Sequence, residues 1–300
     1  FKPQELSNIS WAFATARVPH AELFEKIAYH IAGLDSLDSF TAQNVSNIAW
    51  AFATAKIYHS HLFEKLAEAA ARKGRFTDTT NIATFLWACA TVGYTIERLF
   101  SGFALIISSK LDEFSDQQIS NVSWAYSVAN VMSEGLFNKG YAGALASKEK
   151  HFSKEGLTQL HQWQLWQQEL GSEIELPLSL RKKCRHAFIS TSYSESKLQN
   201  DVVGGVRAIG LDLDEEVLLG SGYRIDAVVK VGHGKKVAVE VDGPSHYIHR
   251  RPTGSTILKR RQVTRLDLIE VVTVPYWEWG ELKSTKMKQL YLREKIDKKT

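Results

Sequence analysis

The feature that most constrains this chain is a motif that recurs at a nearly fixed interval. Tryptophan stands at Trp11, Trp50, Trp87 and Trp124, so successive copies are 39, 37 and 37 residues apart. The second residue of a Leu-Phe pair follows each tryptophan by 13 residues, at Phe24, Phe63, Phe100 and Phe137. A constant offset between two landmarks indicates one supersecondary unit repeated along the chain.

Each unit has apolar residues at helical spacing. Val45, Ile48 and Phe52 share one helical face, and Leu62 and Leu66 begin a second face. Such a hairpin cannot bury its apolar face alone, so neighbours must stack into an all-α helical-hairpin solenoid. We expect the tryptophans to pack between repeats rather than to stack on ligands.

The repeat part is predicted to cover residues 1–175, about four and a half units, with the incomplete fifth copy starting at Phe152. A repeat is already under way at Phe1, so we expect the chain to be a fragment or a processed form. No apolar run approaches the roughly 20 residues of a membrane span, and no membrane partner is expected.

The second half has a different charge and a different pattern of elements. Residues 1–170 carry 14 Lys/Arg and 16 Asp/Glu, whereas 171–300 carry 23 and 17, a change from −2 to +6. After a predicted linker at 176–192, the pattern predicts a helix, three strands, a helix and a fourth strand over 193–300. This half is therefore predicted to be a separate α/β domain, which makes the protein multi-domain.

Three carboxylates are predicted to meet on this sheet. Glu240 and Asp242 alternate onto one face of a strand, and Asp226 lies on the strand that pairs with it through a turn. Carboxylates this close repel one another unless a divalent cation or a basic neighbour neutralises them. We consider these three residues candidate metal ligands and catalytic residues, for which hard oxygen atoms favour Mg²⁺ or Mn²⁺.

A stretch without acids follows these carboxylates. Between Gly243 and Leu266 there is no Asp or Glu, and this absence suggests a phosphate-binding surface. The alternative is that part of the stretch forms only a solvated helix face. The candidate phosphate-binding residues are His246, Arg250, Arg251, Lys259, Arg260, Arg261 and Arg265.

The motifs of this half closely resemble the RAP domain, named as an RNA-binding domain abundant in apicomplexans. The resemblance covers about residues 193–296 and rests on Tyr223-Arg224-Ile225-Asp226, on Val237 through Tyr247, on Leu258-Lys259-Arg260-Arg261, and on Val274-Pro275-Tyr276-Trp277-Glu278-Trp279. It implies a core similar to PD-(D/E)xK endonucleases, with Asp226, Glu240 and Asp242 at the acidic positions. Those enzymes carry Lys two residues after the Glu; here that position is Asp242, and Lys259 would have to supply the charge.

The hairpins, with their Asn-Ile-x-Trp-Ala pattern, resemble octotricopeptide repeats, in which each repeat is thought to contact about one nucleotide. A position that reads bases must be polar and must differ between repeats. The column Glu5, Asn44, Asn81 and Gln118 meets both conditions. We treat Asn44, Asn81 and Gln118 as candidate RNA-binding residues, against the alternative of a solvated helix face.

Together the resemblances imply an RNA-binding protein of a mitochondrion or chloroplast, acting in RNA processing, stability or translation. In this hypothesis the repeats orient RNA and the RAP domain grips it. One alternative is a metal-dependent endoribonuclease using Asp226, Glu240 and Asp242. A second is a structural component of an organellar ribosome, with ribosomal or other organellar proteins as partners.

Overall fold

The computed structural model describes residues 1–18, 20–72, 74, 76–190 and 196–299, without the side chain of His233. Its first part is helical, with α1 (Pro3–Thr15), α2 (Ala21–Ala32), α3 (Ala42–Thr54), α4 (Ser60–Ala70), α5 (Thr79–Thr91), α6 (Glu97–Ser109), α7 (Asp116–Ala129), α8 (Lys139–Ser147), α9 (Lys154–Glu169) and α10 (Leu178–Ile189). The second part contains α11 (Lys197–Ala208), β1 (Asp212–Leu218), β2 (Arg224–Lys230), β3 (Lys236–Asp242), β4 (Tyr247–Ile248), β5 (Arg251–Pro252), α12 (Gly254–Leu266), β6 (Glu270–Pro275), α13 (Tyr276–Glu281) and α14 (Thr285–Asp297).

The first helix of each hairpin ends in the same way. The chain turns through positive φ directly after α1, α3, α5 and α7, at Arg17, Lys56, Gly93 and Asn130. After α3 the amide of Ile57 donates to the carbonyl of Phe52, and after α5 the amide of Tyr94 donates to that of Cys89. These bonds satisfy last-turn carbonyls of the helix and fix the turn into the second helix.

The hairpins stack in a row. The first helices α1, α3, α5, α7 and α9 pack side by side in chain order, and one continuous apolar core runs between them and the second helices. The tryptophan column is buried to different extents: Trp124 is 7% exposed, Trp50 and Trp87 are half-buried against the core, and Trp11 is 48% exposed. The expected packing role therefore holds fully for Trp124 and in part for Trp50 and Trp87.

The segment predicted as a linker is mostly helical. Helix α10 occupies 178–189 and packs along α9, with Leu180 and Cys184 buried. The fifth hairpin is thus completed by residues that the sequence predicted to form a linker. The end of the predicted linker and the start of the predicted RAP domain, at 191–195, lie outside the described residues.

The second part follows the predicted order of helix, three strands, helix and strand. Its main sheet has the strand order β1-β2-β3-β6, with β3 and β6 parallel and the other pairs antiparallel. A parallel pair needs a crossover, and α12 lies within the connection between β3 and β6. Strands β4 and β5 form a separate small ladder inside the same crossover.

Both faces of the main sheet are covered. On one face, Val237 and Val239 pack with apolar residues of α11 and α14, including Val203 and Leu292. On the other face, Ala238 lies in a cluster that contains Val263 of α12 and also Leu165 of α9. Helix α12 is therefore a shared wall between the sheet and the hairpins.

The beginning of α12 approaches the hairpins so closely that only glycine fits. A Cβ atom on Gly254 would lie 2.0 Å from the carbonyl oxygen of Ala90 and 3.0 Å from a methyl group of Val128. Leu258, one turn later, belongs to the core of the hairpins. The main sheet and the hairpins therefore share packed surface along α12.

Polar side chains of α9 complete this junction. Gln162 donates to the Tyr223 hydroxyl at 2.8 Å, and that hydroxyl donates to Gln262 of α12 at 2.9 Å. Gln262 in turn donates to the carbonyl of Gln162 at 2.9 Å. Because these groups are buried, each hydrogen bond replaces water that the groups lost.

In the described part of the chain, no helix combines the length and the apolar composition that crossing a bilayer requires.

We expect Gly254→Ala to destabilise the protein. The added methyl group meets the main chain of α5, which cannot move aside as a side chain could, so α12 must shift at a cost of about 2–3 kcal/mol. Thermal unfolding checks this, with Gly204→Ala as the control, because a Cβ on that exposed helical glycine meets nothing within 4 Å. Equal midpoints for the two variants would contradict the close approach.

Candidate functional site

The three predicted acids meet on the face of the sheet that α12 covers. Glu240 and Asp242 alternate onto this face of β3, and the antiparallel register of β2 continues from Ala227 and Val239 to place Asp226 opposite Glu240. The Asp226 carboxylate accepts a hydrogen bond from the amide of Val241 at 2.7 Å. The strand alternation read from the sequence thus places these side chains correctly, and their role remains a prediction.

Two adjacent cations on α12 face these acids. Lys259 Nζ lies 2.7 Å and 2.8 Å from the two carboxylate oxygens of Glu240. Arg260 donates to Asp242 Oδ2 at 2.6 Å and to the Tyr247 hydroxyl at 2.9 Å. Clustered carboxylates can be neutralised by a divalent cation or by basic side chains, and here the basic side chains of Lys259 and Arg260 pair with them.

His246 and Tyr247 close the cluster at the end of β3. The Tyr247 hydroxyl donates to Asp242 Oδ2 at 3.1 Å, and His246 Nδ1 lies 3.4 Å from Asp242 Oδ1. Thr256 of α12 donates to the main-chain carbonyl of His246 at 3.1 Å. Asp242 is therefore fully engaged, and it is only 2% exposed.

Burial changes the proton affinity of this cluster. Burial raises the pKa of Glu240 to about 7, an effect that Lys259 opposes and the neighbouring Asp226 adds to. Burial also raises the pKa of Asp226, against the hydrogen bond from Val241. The pKa of His246 is lowered, again chiefly by burial, although Asp242 acts in the opposite direction.

The arrangement does not fit a divalent cation as it stands. Both oxygens of Glu240 face Lys259, and Asp242 is held by Arg260, Tyr247 and His246. Within the described residues, no group of three His, Cys, Asp or Glu side chains is placed to hold a metal ion. Coordination of Mg²⁺ or Mn²⁺ would require Lys259 to leave Glu240.

Arg261, a predicted RNA-binding residue, points inward instead. Its guanidinium contacts both carboxylate oxygens of Glu169 at 3.1–3.3 Å and donates to the carbonyls of Ser127 and Val128. The side chain is 15% exposed and that of Glu169 is completely buried. The donors of Arg261 are used to join α12 to α7 and α9, and its role in RNA binding remains a prediction.

The side chains of the predicted base-reading positions, Asn44, Asn81 and Gln118, form hydrogen bonds within the hairpins. Asn44 and Gln118 are each the third residue of their helix and accept the amide of the N-cap residue, Thr41 and Ser115, at 3.1 Å and 2.9 Å. Asn81 accepts from the Ser46 hydroxyl of the preceding hairpin at 2.9 Å. The polarity of this column follows from the capping box and from inter-repeat bonds, and its variation reflects which polar side chains can cap.

The remaining predicted arginines are all exposed. Arg250 is exposed, with Glu281 as an ion-pair partner at 3.5 Å. Arg251 is also exposed and lies over the Tyr58 ring of the second hairpin, 4.2 Å from its centroid. Arg265 is exposed in the last turn of α12.

Two aromatic residues that we had not assigned a role lie beside these cations. Tyr276 and Trp277 follow β6 directly, and their ring centroids are 5.2 Å apart. Trp277 packs edge-on against Tyr247, with centroids 4.3 Å apart, and the Arg250 guanidinium lies 5.9 Å from its ring. The sequence did contain a signal for these two residues, since it places two adjacent aromatic residues directly after Pro275, at the end of a buried strand.

We call the surface formed by His246, Arg250, Tyr276 and Trp277 the edge patch. These residues are brought together because β3 and β6 are parallel, so that the segments after both strands emerge at the same edge of the sheet. The edge patch adjoins the hairpins, since Lys56 donates to the carbonyl of Ser245 at 3.0 Å. It combines the aromatic rings of Tyr276 and Trp277 with the exposed guanidinium of Arg250.

Comparisons with known proteins agree with this division of the chain. Residues 239–295 match the RAP domain, from β3 to α14. Residues 1–173 match the family described as RNA-editing substrate-binding complex 6 protein. The fold and the matches define a helical-repeat protein with a C-terminal RAP domain. Because the second match spans more than half of the chain, the chain belongs to the RNA-editing substrate-binding complex 6 protein family.

A curated relative is similar to nearly the whole chain. The chain is 26% identical over 336 residues to the RAP domain-containing protein, chloroplastic, of Oryza sativa subsp. japonica. The alignment covers 97% of this chain and 52% of the relative, so the chain spans about half the length of the relative it matches.

We expect Glu240 to make stability fall as pH rises from about 4.5 to about 7. In this window the folded protein keeps a proton on Glu240 that the unfolded chain has released, so raising the pH favours unfolding. Glu240→Gln removes this titration and should flatten the dependence by roughly 2–3 kcal/mol.

Denaturant unfolding at several pH values measures the effect. Glu270→Gln is the control, because Lys299 lowers the pKa of this exposed carboxyl and so moves its titration below the window. An unchanged slope in Glu240→Gln would show that the Glu240 carboxyl does not titrate there.

Proposed function

We propose that this chain binds single-stranded RNA and acts in organellar RNA processing, stability or translation. In this proposal the RAP domain grips RNA at the edge patch, and the hairpins form a solenoid that orients it. The observation that carries the proposal is the juxtaposition of Tyr276 and Trp277 with Arg250 and His246 at one edge of the sheet.

This combination matches what an unpaired polynucleotide offers. Bases stack on aromatic rings, and each such stack contributes about 1–3 kcal/mol in single-strand binding proteins. Phosphates are attracted by Arg250 and by the other exposed cations of a half whose net charge is +6. Duplex bases are already stacked on one another and would leave the aromatic residues unused.

The edge patch also has a natural continuation on the hairpins. Arg251 and Tyr58 stack at the junction, and Lys56 of the same turn contacts Ser245. A single-stranded RNA that extends beyond Trp277 and Arg250 would next reach this turn of the second hairpin. We therefore place the orienting role at the turns between helices rather than at Asn44, Asn81 and Gln118.

The compartment and the pathway rest on the relatives. The rice relative is named chloroplastic, and the family of residues 1–173 is named for an RNA-editing substrate-binding complex. The first name supports an organellar compartment, and the second supports a role on RNA.

We expect Arg250→Glu to weaken binding of a labelled single-stranded RNA about tenfold at low salt and to lower the salt dependence, because a phosphate contact becomes repulsive. Tyr276→Ala should weaken binding about fivefold or more with no change in salt dependence, since it removes only stacking. Fluorescence polarisation at several salt concentrations separates the two effects.

Lys286→Glu is the control for charge. Lys286 is exposed on α14, so this substitution also replaces a positive charge with a negative one, but outside the edge patch. The proposal is wrong if the unaltered protein has no affinity for RNA at low salt. It is equally wrong if Lys286→Glu weakens binding as much as Arg250→Glu does.

A metal-dependent endoribonuclease is the second candidate. It is supported by the meeting of Asp226, Glu240 and Lys259 on one face, the set that a PD-(D/E)xK-like core would use. The contact of Lys259 with both oxygens of Glu240 argues for a binding role of the same core, because it neutralises the carboxylate without a metal.

We therefore expect RNA incubated with the protein and Mg²⁺ or Mn²⁺ to stay intact while remaining bound. Gel electrophoresis of the recovered RNA checks this. Cleavage products that disappear in both Glu240→Gln and Asp226→Asn would establish the hydrolytic candidate instead.

A further inference from the structure

A groove separates two of the second helices, α4 and α6. Its volume is about 820 Å³, and its lining comes from both helices and from the segments that precede and follow α5. The first helices of the same two hairpins, α3 and α5, pack directly against each other. The opening therefore lies between the second helices of these two hairpins and not between their first helices.

The groove is apolar to an extent that a free surface seldom is. Phe76 and Phe103 form its floor and are themselves buried, while Leu105 on its wall is 76% exposed and Ile96 is 46% exposed. Large apolar side chains gathered around a concave surface mark an interaction site. Nothing in the edge patch or the acid cluster uses this surface.

The charges around the groove limit what can bind there. Glu64 and Glu68 line the α4 wall, and within the described part of the chain neither forms an ion pair. Arg98 lines the opposite α6 wall and is likewise without an ion pair among those residues. Arg72 also lines the groove, but it is paired with Asp38, so Glu64 and Glu68 are the unpaired charges of the α4 wall among the described residues. Most of the lining is apolar and offers few cations to phosphates, so a nucleic acid is the wrong occupant.

The dimensions suit one helix. Helix α4 has 11 residues and α6 has 13, which corresponds to walls of about 16 Å and 20 Å. About three turns of an amphipathic helix fill such a length, with apolar side chains on the floor and charged side chains at the two edges.

We infer that the groove between α4 and α6 binds an amphipathic helix of a partner protein, with Lys or Arg along the edge that faces Glu64 and Glu68. This protein-binding site goes beyond the proposed RNA function. The partner is held by a row of helices that RNA on the edge patch does not contact.

The test uses two labelled peptides of about three turns with the same leucine stripe. One carries lysine on the edge that would face α4, and the other carries glutamate there. We expect the lysine peptide to bind the full chain at least about tenfold more tightly. The double variant Glu64→Lys with Glu68→Lys should reverse this preference.

Two variants show whether the binding is in the groove. Gly102 lies on the groove wall and a Cβ there meets nothing within 4 Å, so Gly102→Trp fills the groove without straining α6 and should abolish binding. Gly143→Trp is the matched control, on an exposed glycine of α8 with the same free space. For the charges, the control is Glu134→Lys with Glu155→Lys, both exposed elsewhere on the hairpins.

Several results would overturn the inference. These are equal affinity for the two peptides, no binding of either, binding that survives Gly102→Trp, and loss of binding in Gly143→Trp. Displacement of the lysine peptide by single-stranded RNA from the unaltered protein, but not from Arg250→Glu, would also overturn it, because the peptide would then be bound at the edge patch.

Discussion

The contact on which the arrangement depends is the one made by Arg261. Its guanidinium bonds to the completely buried carboxylate of Glu169 and to two carbonyls in the last turn of α7. Those carbonyls have no partner within their own helix, so the arginine supplies what a C-cap would otherwise supply. A buried charge pair is costly unless every donor and acceptor is used, and loss of either partner would leave the other charge unpaired in the interior. The contact therefore fixes α12 on the hairpins in one position.

A fixed α12 in turn determines the chemistry of the sheet. Lys259, Arg260 and Arg261 are consecutive, and the helix sends the first two toward Glu240 and Asp242 and the third toward Glu169. Three neighbouring cations thus neutralise three buried acids in two parts of the molecule. The basic character of this motif serves the interior more than the surface. The cations left for a ligand are those of the crossover loop, chiefly Arg250 and Arg251, beside Tyr276 and Trp277.

Local pattern was enough to predict much of this. The recurring tryptophans and Leu-Phe pairs gave the hairpins, and the alternation of Ala238, Glu240 and Asp242 gave the acid-bearing face of β3. The sequence did not reveal contacts between residues far apart in the chain, such as those of Arg261 with Ser127 and Glu169. The spacing of residues along the chain does not indicate which distant residues meet. Helix α10 was not predicted, because the charges of Arg181 and Lys183 obscured the buried pair Leu180 and Cys184. The capping role of Gln118 was readable, since Ser115 stands three residues before it.

The polar face of α9 has a consequence for how such proteins can be recombined. Gln162, Tyr223 and Gln262 form hydrogen bonds with one another across the border between the two parts. Glu169 forms an ion pair with Arg261 of α12. A RAP sequence grafted behind an unrelated array would leave Tyr223, Gln262 and Arg261 without their partners on α9. The smallest transplantable cassette is accordingly the RAP domain together with the α9–α10 hairpin, so any shuffling of such domains would be expected to cut the chain ahead of that hairpin rather than behind it.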